Sequence, residues 1–439
     1  MQRLVESAFS VVMPFNELDR SSHSDAPILL ITTSQHPSPS PKGAEMLTKA
    51  TAKAYEGKAS RVLFDARESE SPHELDSQLH FLGTFVANHA KRNAKVLVVT
   101  DNNDILTSSV CEGFVRSLSK EIGGKGITIN LLEIDSGDDS DDSDDSDDSD
   151  DSALVNDEAV QYFLSGDSCF VTGQRLVIDG STTSSAVSQN ENVVLTGAAR
   201  GIGLETAKAI AGLNGTKNLL LVDHPAMSDH LERSVEEVKK IVGNKTLLVS
   251  GLSVDVCDDD AGELIGKEIG AGIDSMIHAA GVTRDKTMKR MDRERFMECM
   301  EINLHAVKRI DDTLFGNKLY NENCRITLLS STSGVAGNFG QTNYASSKSG
   351  LIGYAQWRTE QERGRSDAGV NCVAPGFIST PMTDNLPIFN RVIVPRFMTN
   401  LGCMGQPKDV ANTIKFLSSK RSGAKGTFLR CCGGLLLGR

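Results

Sequence analysis

Short apolar runs at 193–196, 218–222, 246–250, 274–278, 325–330 and 370–374 punctuate the second half of the chain. Such runs, bounded by polar residues, predict strands buried on both faces. Helical spacing fills the intervals between them. Strands alternating with helices predict βαβ units, a parallel sheet and a doubly wound layout. The first half repeats the pattern more weakly, with strands expected at 27–32, 61–64, 95–99 and 127–132.

The two halves also share local patterns. The stretch from Glu112 to Asn130 parallels that from Leu351 to Asn371, and Phe163-Leu-Ser with the later 171–179 parallels Phe416-Leu-Ser with 426–430. A diverged duplication follows, with two doubly wound α/β domains of Rossmann-like type, at 1–185 and 186–439. The polar stretch STTSSAVSQNE at 181–191 reads as the linker between them.

Composition changes this picture at one place. The net charge is −12, but ten aspartates between Asp138 and Asp151 supply ten of those charges, which leaves −2 for the rest. The Asp-Asp-Ser repeat cannot bury apolar surface and repels itself, so a disordered insert is expected at 136–152. Its serines, each followed by acidic residues, also suit acidophilic kinases. The nearly neutral remainder offers no basic field for nucleic acid. The apolar runs are too short to span a membrane. The opening MQRLVESAFSVVMPF reads as neither a secretory signal nor a transit peptide. The nine cysteines are scattered, with no Cys-x-x-Cys. That argues against a zinc site or a disulfide framework and for a reducing compartment, the cytoplasm, with an organelle also open. No metal is expected.

Two stretches carry candidate chemistry. The first is SSTSGVAGNFGQTNYASSK over 330–348, which brings Ser331, Tyr344 and Lys348 together. Tyr344 and Lys348, four apart, share a helix face. A lysine beside a phenol is expected to lower its pKa and fit it for proton transfer. The second is Thr196-Gly-Ala-Ala-Arg-Gly-Ile-Gly203, after a strand and at the start of a helix. Gly197 and Gly201 permit a tight turn and close backbone approach, and Gly203 permits helix packing. The helix start offers N–H groups to a pyrophosphate. Asp223, ending the next strand, suits the adenosine ribose hydroxyls and repels a 2′-phosphate, which favours NAD(H) over NADP(H). Arg200 within the loop is the counter-signal, since it could face such a phosphate.

With these residues in order, the second half resembles the short-chain dehydrogenase/reductase family. Asp255-Val256, His278-Ala-Ala-Gly281, Asn303 in EINLHAV and Pro375-Gly-Phe-Ile-Ser-Thr380 extend the resemblance over nearly all of 190–439. The segments HAAGVTRDK and NCVAPGFISTPM look most like the 3-oxoacyl-[acyl-carrier-protein] reductases. The length and the Val222-Asp-His-Pro-Ala stretch resemble their long, NADH-using subgroup, which carries a degenerate, flavodoxin-like first domain.

The resemblance implies roles. Tyr344 would be the general acid, Lys348 would lower its pKa and bind the nicotinamide ribose, and Ser331 would polarise the carbonyl. Asn303 would hold a water linking Lys348 to solvent. Gly197, Arg200, Gly201, Ile202, Gly203, Asp223, Asp255, Val256, Ala280, Gly281, Pro375, Gly376 and Thr380 would line the cofactor, with Asp255 and Val256 at the adenine and Thr380 near the nicotinamide. The implied reaction is NADH-dependent reduction of a 3-oxoacyl thioester of acyl carrier protein or CoA, in fatty-acid metabolism. A 3-hydroxyacyl-CoA dehydrogenase or another ketone or quinone reductase is the neighbouring reading. A scaffold using the acidic tract is the non-enzymatic one. Residues 381–400 would form a lid over the acyl group. A homodimer is implied, although the charged helix TEQERGR departs from the family at the usual interface. His278 also departs, since the family has asparagine there.

The first half is expected to bind no dinucleotide. Aligned on Gly113 and Gly353, it has Asp104 at the Tyr344 position and Ser108 at the Lys348 position. Thr33-Ser-Gln-His-Pro-Ser-Pro-Ser-Pro41 stands where the glycine loop would be, and prolines lack the N–H groups a phosphate needs.

Overall fold

Every strand ladder among the described residues is parallel. The computed structural model describes residues 18, 29–32, 60–67, 72–102, 104–135, 157–180, 191–243, 246–364, 366, 368–380 and 394–435. The acidic insert, the polar run replacing the glycine loop in the first half, the linker up to 190 and residues 381–393 of the expected lid lie outside them.

The first sheet contains β1 (Leu29–Thr32), β2 (Arg61–Asp65), β3 (Lys95–Asp101), β4 (Thr128–Asp135) and β5 (Arg175–Asp179), in that spatial order. The second contains β6 (Asn192–Thr196), β7 (Asn218–Asp223), β8 (Leu248–Ser253), β9 (Ile273–His278), β10 (Tyr320–Leu329), β11 (Gly369–Pro375) and β12 (Phe428–Cys431). Its order is β12-β11-β10-β9-β6-β7-β8. The chain runs outward from β6 to β8, then returns to place β9 on the other side of β6. That reversal opens a crevice at the carboxyl ends of β6 and β9, where doubly wound sheets bind ligands. The described strands of the first sheet contain no such reversal.

Buried apolar runs explain the strand positions. All six residues of β9 are buried, as are the first six of β4 and of β3. The edge strands β5 and β12 escape the apolar pattern because their sequences, RLVID and FLRC, are short and interrupted by partly exposed residues. β10 starts before its apolar run, at Tyr320, and its register against β9 shifts between Tyr320 and Arg325.

Each half has a core of its own, and a third core is shared. Val62, Phe85 and Ile129 belong to a cluster confined to the first half. Val194, Ile326 and Val370 belong to one confined to the second. The shared cluster joins Phe163, Phe170 and Leu176 to Ala207, Val410 and Phe416. At its centre Tyr162 stacks on Phe416, with centroids 4.2 Å apart and planes within 2°. The Tyr162 hydroxyl reaches Thr413 Oγ1 at 2.9 Å. Polar clamps surround this stack: Asp167 holds Lys415 and Asn412, and Asp179 holds Lys425.

The two halves share a hydrogen-bond pattern. Asn130, fully buried in β4, accepts from Gln174 N–H at 3.1 Å and donates to the Val171 carbonyl at 3.0 Å. Asn371, fully buried in β11, accepts from Thr427 N–H at 3.1 Å and donates to the Ala424 carbonyl at 3.0 Å. In each half one asparagine thus pins the entry to the last strand.

Candidate active site

The candidate residues lie at or just beyond the carboxyl ends of six strands. The glycine loop follows β6, Asp223 ends β7, and Asp255 lies just beyond β8. Ala280 and Gly281 follow β9, and Ser331 follows β10. Pro375 ends β11 and leads into Gly376 and Thr380.

The glycines at the two ends of the loop after β6 leave no room for a side chain. Gly197 has φ +69°, and a Cβ there would stand 2.6 Å from Ala280 N. A Cβ on Gly203 would stand 2.0 Å from the Gly197 carbonyl oxygen. Gly201 also has positive φ, but it faces open space at the start of the helix Gly201–Ala211. Tight packing behind and open space in front let backbone N–H groups approach a phosphate, so these residues fit a dinucleotide. Ile202 packs on the shared core, and Arg200, the residue before the helix, is exposed.

Asp223 does more than end β7. Its Oδ2 accepts from Ala199 N–H and its Oδ1 from His224 N–H, each at 2.8 Å. The carboxylate therefore braces the loop. His224 Nδ1 accepts from Ala226 N–H at 3.0 Å, and its Nε2 lies 3.3 Å from Asp255 Oδ2. His224 thus ties Asp223 to Asp255. Val256 packs beside Asp255 on the second half's own core.

Three serines stand near Tyr344, and their partners separate them. Ser330 Oγ donates to the Lys348 carbonyl at 2.6 Å, and Ser333 Oγ donates to Gln341 at 3.0 Å. Ser331 accepts from Ser333 N–H and hydrogen-bonds the Tyr344 phenol. Tyr344 and Lys348 both lie on the helix Thr342–Glu362, as their spacing predicts. Lys348 is buried, and its Nζ donates to the Leu329 carbonyl at 2.7 Å.

The electrostatics differ from the expectation. Burial pushes the Tyr344 phenol up to about 12, and the opposing hydrogen bond comes from Ser331. Lys348 is not what sets this shift: Nζ lies 5.7 Å from the ring centroid and donates to the carbonyl of Leu329. Burial also lowers Lys348 itself to about 8. A charge taken out of water is disfavoured whatever its sign, and that cost dominates at both groups.

Asn303 is fully buried in the π-helical turn Glu301–His305, a distortion that re-aims side chains. Its Oδ1 accepts from Val282 N–H at 2.8 Å, and its Nδ2 donates to the Val282 carbonyl and Ser347 Oγ, each at 3.0 Å. A Cβ on Gly281 would stand 3.1 Å from Asn303 Oδ1 and 3.2 Å from Lys348 Nζ. Gly281 therefore marks where these two side chains converge. Ala280 N–H reaches Thr196 Oγ1 at 3.4 Å.

Sequence reasoning missed Asn343 and Ser347. Asn343 Oδ1 accepts from Tyr344 N–H at 2.8 Å, and Ser347 Oγ donates to the Tyr344 carbonyl at 2.8 Å. Both are fully buried and flank Tyr344 on its helix. Their positions at i−1 and i+3 were the available signal. His278 also finds its reason: Nε2 lies 3.0 Å from Asp311, which accepts from Tyr320 and Tyr354 as well. The charged helix puts its cation to internal use, since Arg358 pairs with Asp312 and Glu362 and lies 4.1 Å over Phe315.

Among the described residues no group of His, Cys, Asp or Glu could hold a metal ion, and no helix is long and apolar enough to cross a membrane. All nine cysteines are free.

Comparison with known proteins adds a family. Residues 191–389 match the family model described as short chain dehydrogenase. The 3-oxoacyl-[acyl-carrier-protein] reductase of Thermotoga maritima is 34% identical over 248 residues, 56% of this chain and 97% of that protein. That of Haemophilus influenzae is 31% identical over 255 residues, 57% of this chain and 99% of its own. The (3R)-3-hydroxyacyl-CoA dehydrogenase of Canis lupus familiaris is 37% identical over 167 residues, 37% of this chain and 62% of its own.

Proposed function

This chain belongs to the short-chain dehydrogenase/reductase family, NAD(P)-dependent oxidoreductases of carbonyl and hydroxyl groups, and we propose that it reduces a 3-oxoacyl thioester with NADH. The observation that carries the proposal is the convergence of Ser331, Tyr344 and Lys348 beside the glycine loop. Ser331 hydrogen-bonds the substrate carbonyl oxygen and polarises it. Tyr344, kept protonated by its burial, gives its proton to that oxygen. Lys348 holds positive charge behind the phenol as negative charge develops there. A reduced nicotinamide supplies the hydride when bound. The ketone thereby becomes a 3-hydroxyl group.

Asp223 supports NADH over NADPH, because its carboxylate repels a 2′-phosphate. Lys286 N–H bonds Gly340 in the loop before Tyr344, and exposed Lys289, Arg290 and Arg293 follow it in sequence, which supports an anionic carrier, acyl carrier protein or CoA. The similarity to a hydroxyacyl-CoA dehydrogenase favours the reverse direction as the second reading. Two chains pair through the helix Thr342–Glu362, where Trp357 is 45% exposed. Free cysteines throughout suit a reducing compartment, the cytoplasm. The degenerate first domain at 1–185 binds no dinucleotide.

The test is oxidation of NADH and NADPH with acetoacetyl-CoA and with acyl-carrier-protein substrates. A rate with NADH that vanishes in Tyr344→Phe is expected. Wild-type turnover in that variant would sink the assignment of the acid. Asp223→Ala is expected to shift preference towards NADPH.

A further inference from the structure

Phe170 belongs to the first half, in the turn before β5, and its side chain is fully buried. Its ring fills the space between two glycines of the second half. A Cβ on Gly405 would stand 2.6 Å from Phe170 Cδ1 and Cε1, and one on Gly433 would stand 2.6 Å from Cε2. Gly433 N–H also donates to the Phe170 carbonyl at 2.8 Å.

Both glycines lead to the strap 376–380. Gly405 donates to the Phe377 carbonyl and accepts from Ser379 N–H, each at 2.9 Å. Cys432, next to Gly433, closes off Gly376: a Cβ there would stand 2.7 Å from Cys432 Cβ. A second brace comes from the helix Ile105–Ile122 and the glycine after it. Ser119 Oγ accepts from Asn400 Nδ2 at 3.0 Å, and a Cβ on Gly123 would stand 2.5 Å from the Asn400 carbonyl oxygen. Asn400 and Leu401 in turn donate to the Gly434 and Gly433 carbonyls.

We propose that the first half is a positioning element for the second, with Phe170 as the wedge that sets the strap 376–380 and Ser119–Asn400 as its brace. The proposal rests on the reading of that strap as the nicotinamide side of the site. Packed interiors deform in steps rather than continuously, so removing the ring shifts the strap instead of leaving a harmless void.

The test uses the full chain with Phe170→Ala, Phe170→Leu, Ser119→Ala and the control Leu82→Ala, which lies in the first half's separate core. Amide hydrogen exchange at 376–380 and 399–405 is measured with the KM for NADH and kcat, at a temperature where each variant is folded. Phe170→Ala is expected to speed exchange in both segments and to raise the NADH KM or lower kcat on the order of tenfold. Phe170→Leu recovers most of this and carries the comparison alone if the alanine variant does not fold. Ser119→Ala shows a smaller effect, concentrated at 399–405. Leu82→Ala lowers the melting temperature without either change. Unchanged exchange in Phe170→Ala, or equal effects from Leu82→Ala, overturns the wedge. A wild-type chain that binds neither dinucleotide defeats the reading of the site, and the exchange data then decide the wedge by themselves.

Discussion

Asn130 and Asn371 do the same work in the two halves, while Asp104 and Tyr344 occupy matching positions and do different work. Each asparagine bonds the turn and the residue just before the last strand with nearly identical lengths. Asp104 instead caps the helix Ile105–Ile122, accepting from Leu106 and Thr107. Tyr344 lies inside its helix, with Ser331 at its phenol. The positions that hold a strand in place are alike in the two halves, whereas those at the strand ends differ. Only the second sheet has a reversal of strand order among the described residues, and only there does a glycine loop meet a serine, tyrosine and lysine.

The strongest way to break this contrast is to compare Tyr344→Phe with Asp104→Ala. Turnover in Tyr344→Phe is expected to fall by roughly 10²–10⁴, with dinucleotide binding retained. Asp104→Ala leaves turnover near wild type, and a comparable loss there in steady-state assays would erase the distinction. Gly203→Ala comes next. Its methyl group meets the Gly197 carbonyl, so NADH affinity by fluorescence titration is expected to weaken more than about tenfold, or 1.4 kcal/mol.

Asn130→Ala and Asn371→Ala test the likeness rather than the difference. Each strands buried backbone groups, and each is expected to cost about 1–3 kcal/mol in urea denaturation. Very unequal costs would show that the matching bonds are unequal in effect.

Lys348→Met probes pH dependence. Folded Lys348 titrates near 8 and the unfolded side chain near its ordinary 10.5. Between these values the unfolded chain binds more protons, so wild-type stability rises with pH across that window. Lys348→Met lacks the rise and is more stable than wild type at pH 7, by on the order of 2 kcal/mol. A flat wild-type melting temperature from pH 8 to 10 would contradict this. The smallest effect is the loss of the Asp104 cap, about 1 kcal/mol by the same denaturation measurement.

Much of the fold was legible because strands buried on both faces leave apolar runs. β9 and β11 sit where those runs predict them. β5 and β12 stayed hidden because an edge strand needs no long apolar run; their likeness to each other was the only clue. At the site, Tyr344, Lys348 and the glycines were readable from spacing. The source of the hydrogen bond at the phenol was not, since spacing along a helix says nothing of where Nζ turns when a strand-end carbonyl lies closer. His224 escaped because its role depends on β7 and β8 ending side by side, which local sequence does not reveal.

The stack of Tyr162 on Phe416 has a consequence for how the chain can change over generations. The aromatic faces are matched across a boundary between segments far apart in the sequence, within one shared core. A substitution on the first half's outer surface is expected to leave the shared core intact, whereas one at Tyr162, Phe163 or Phe170 disturbs the packing of both halves at once.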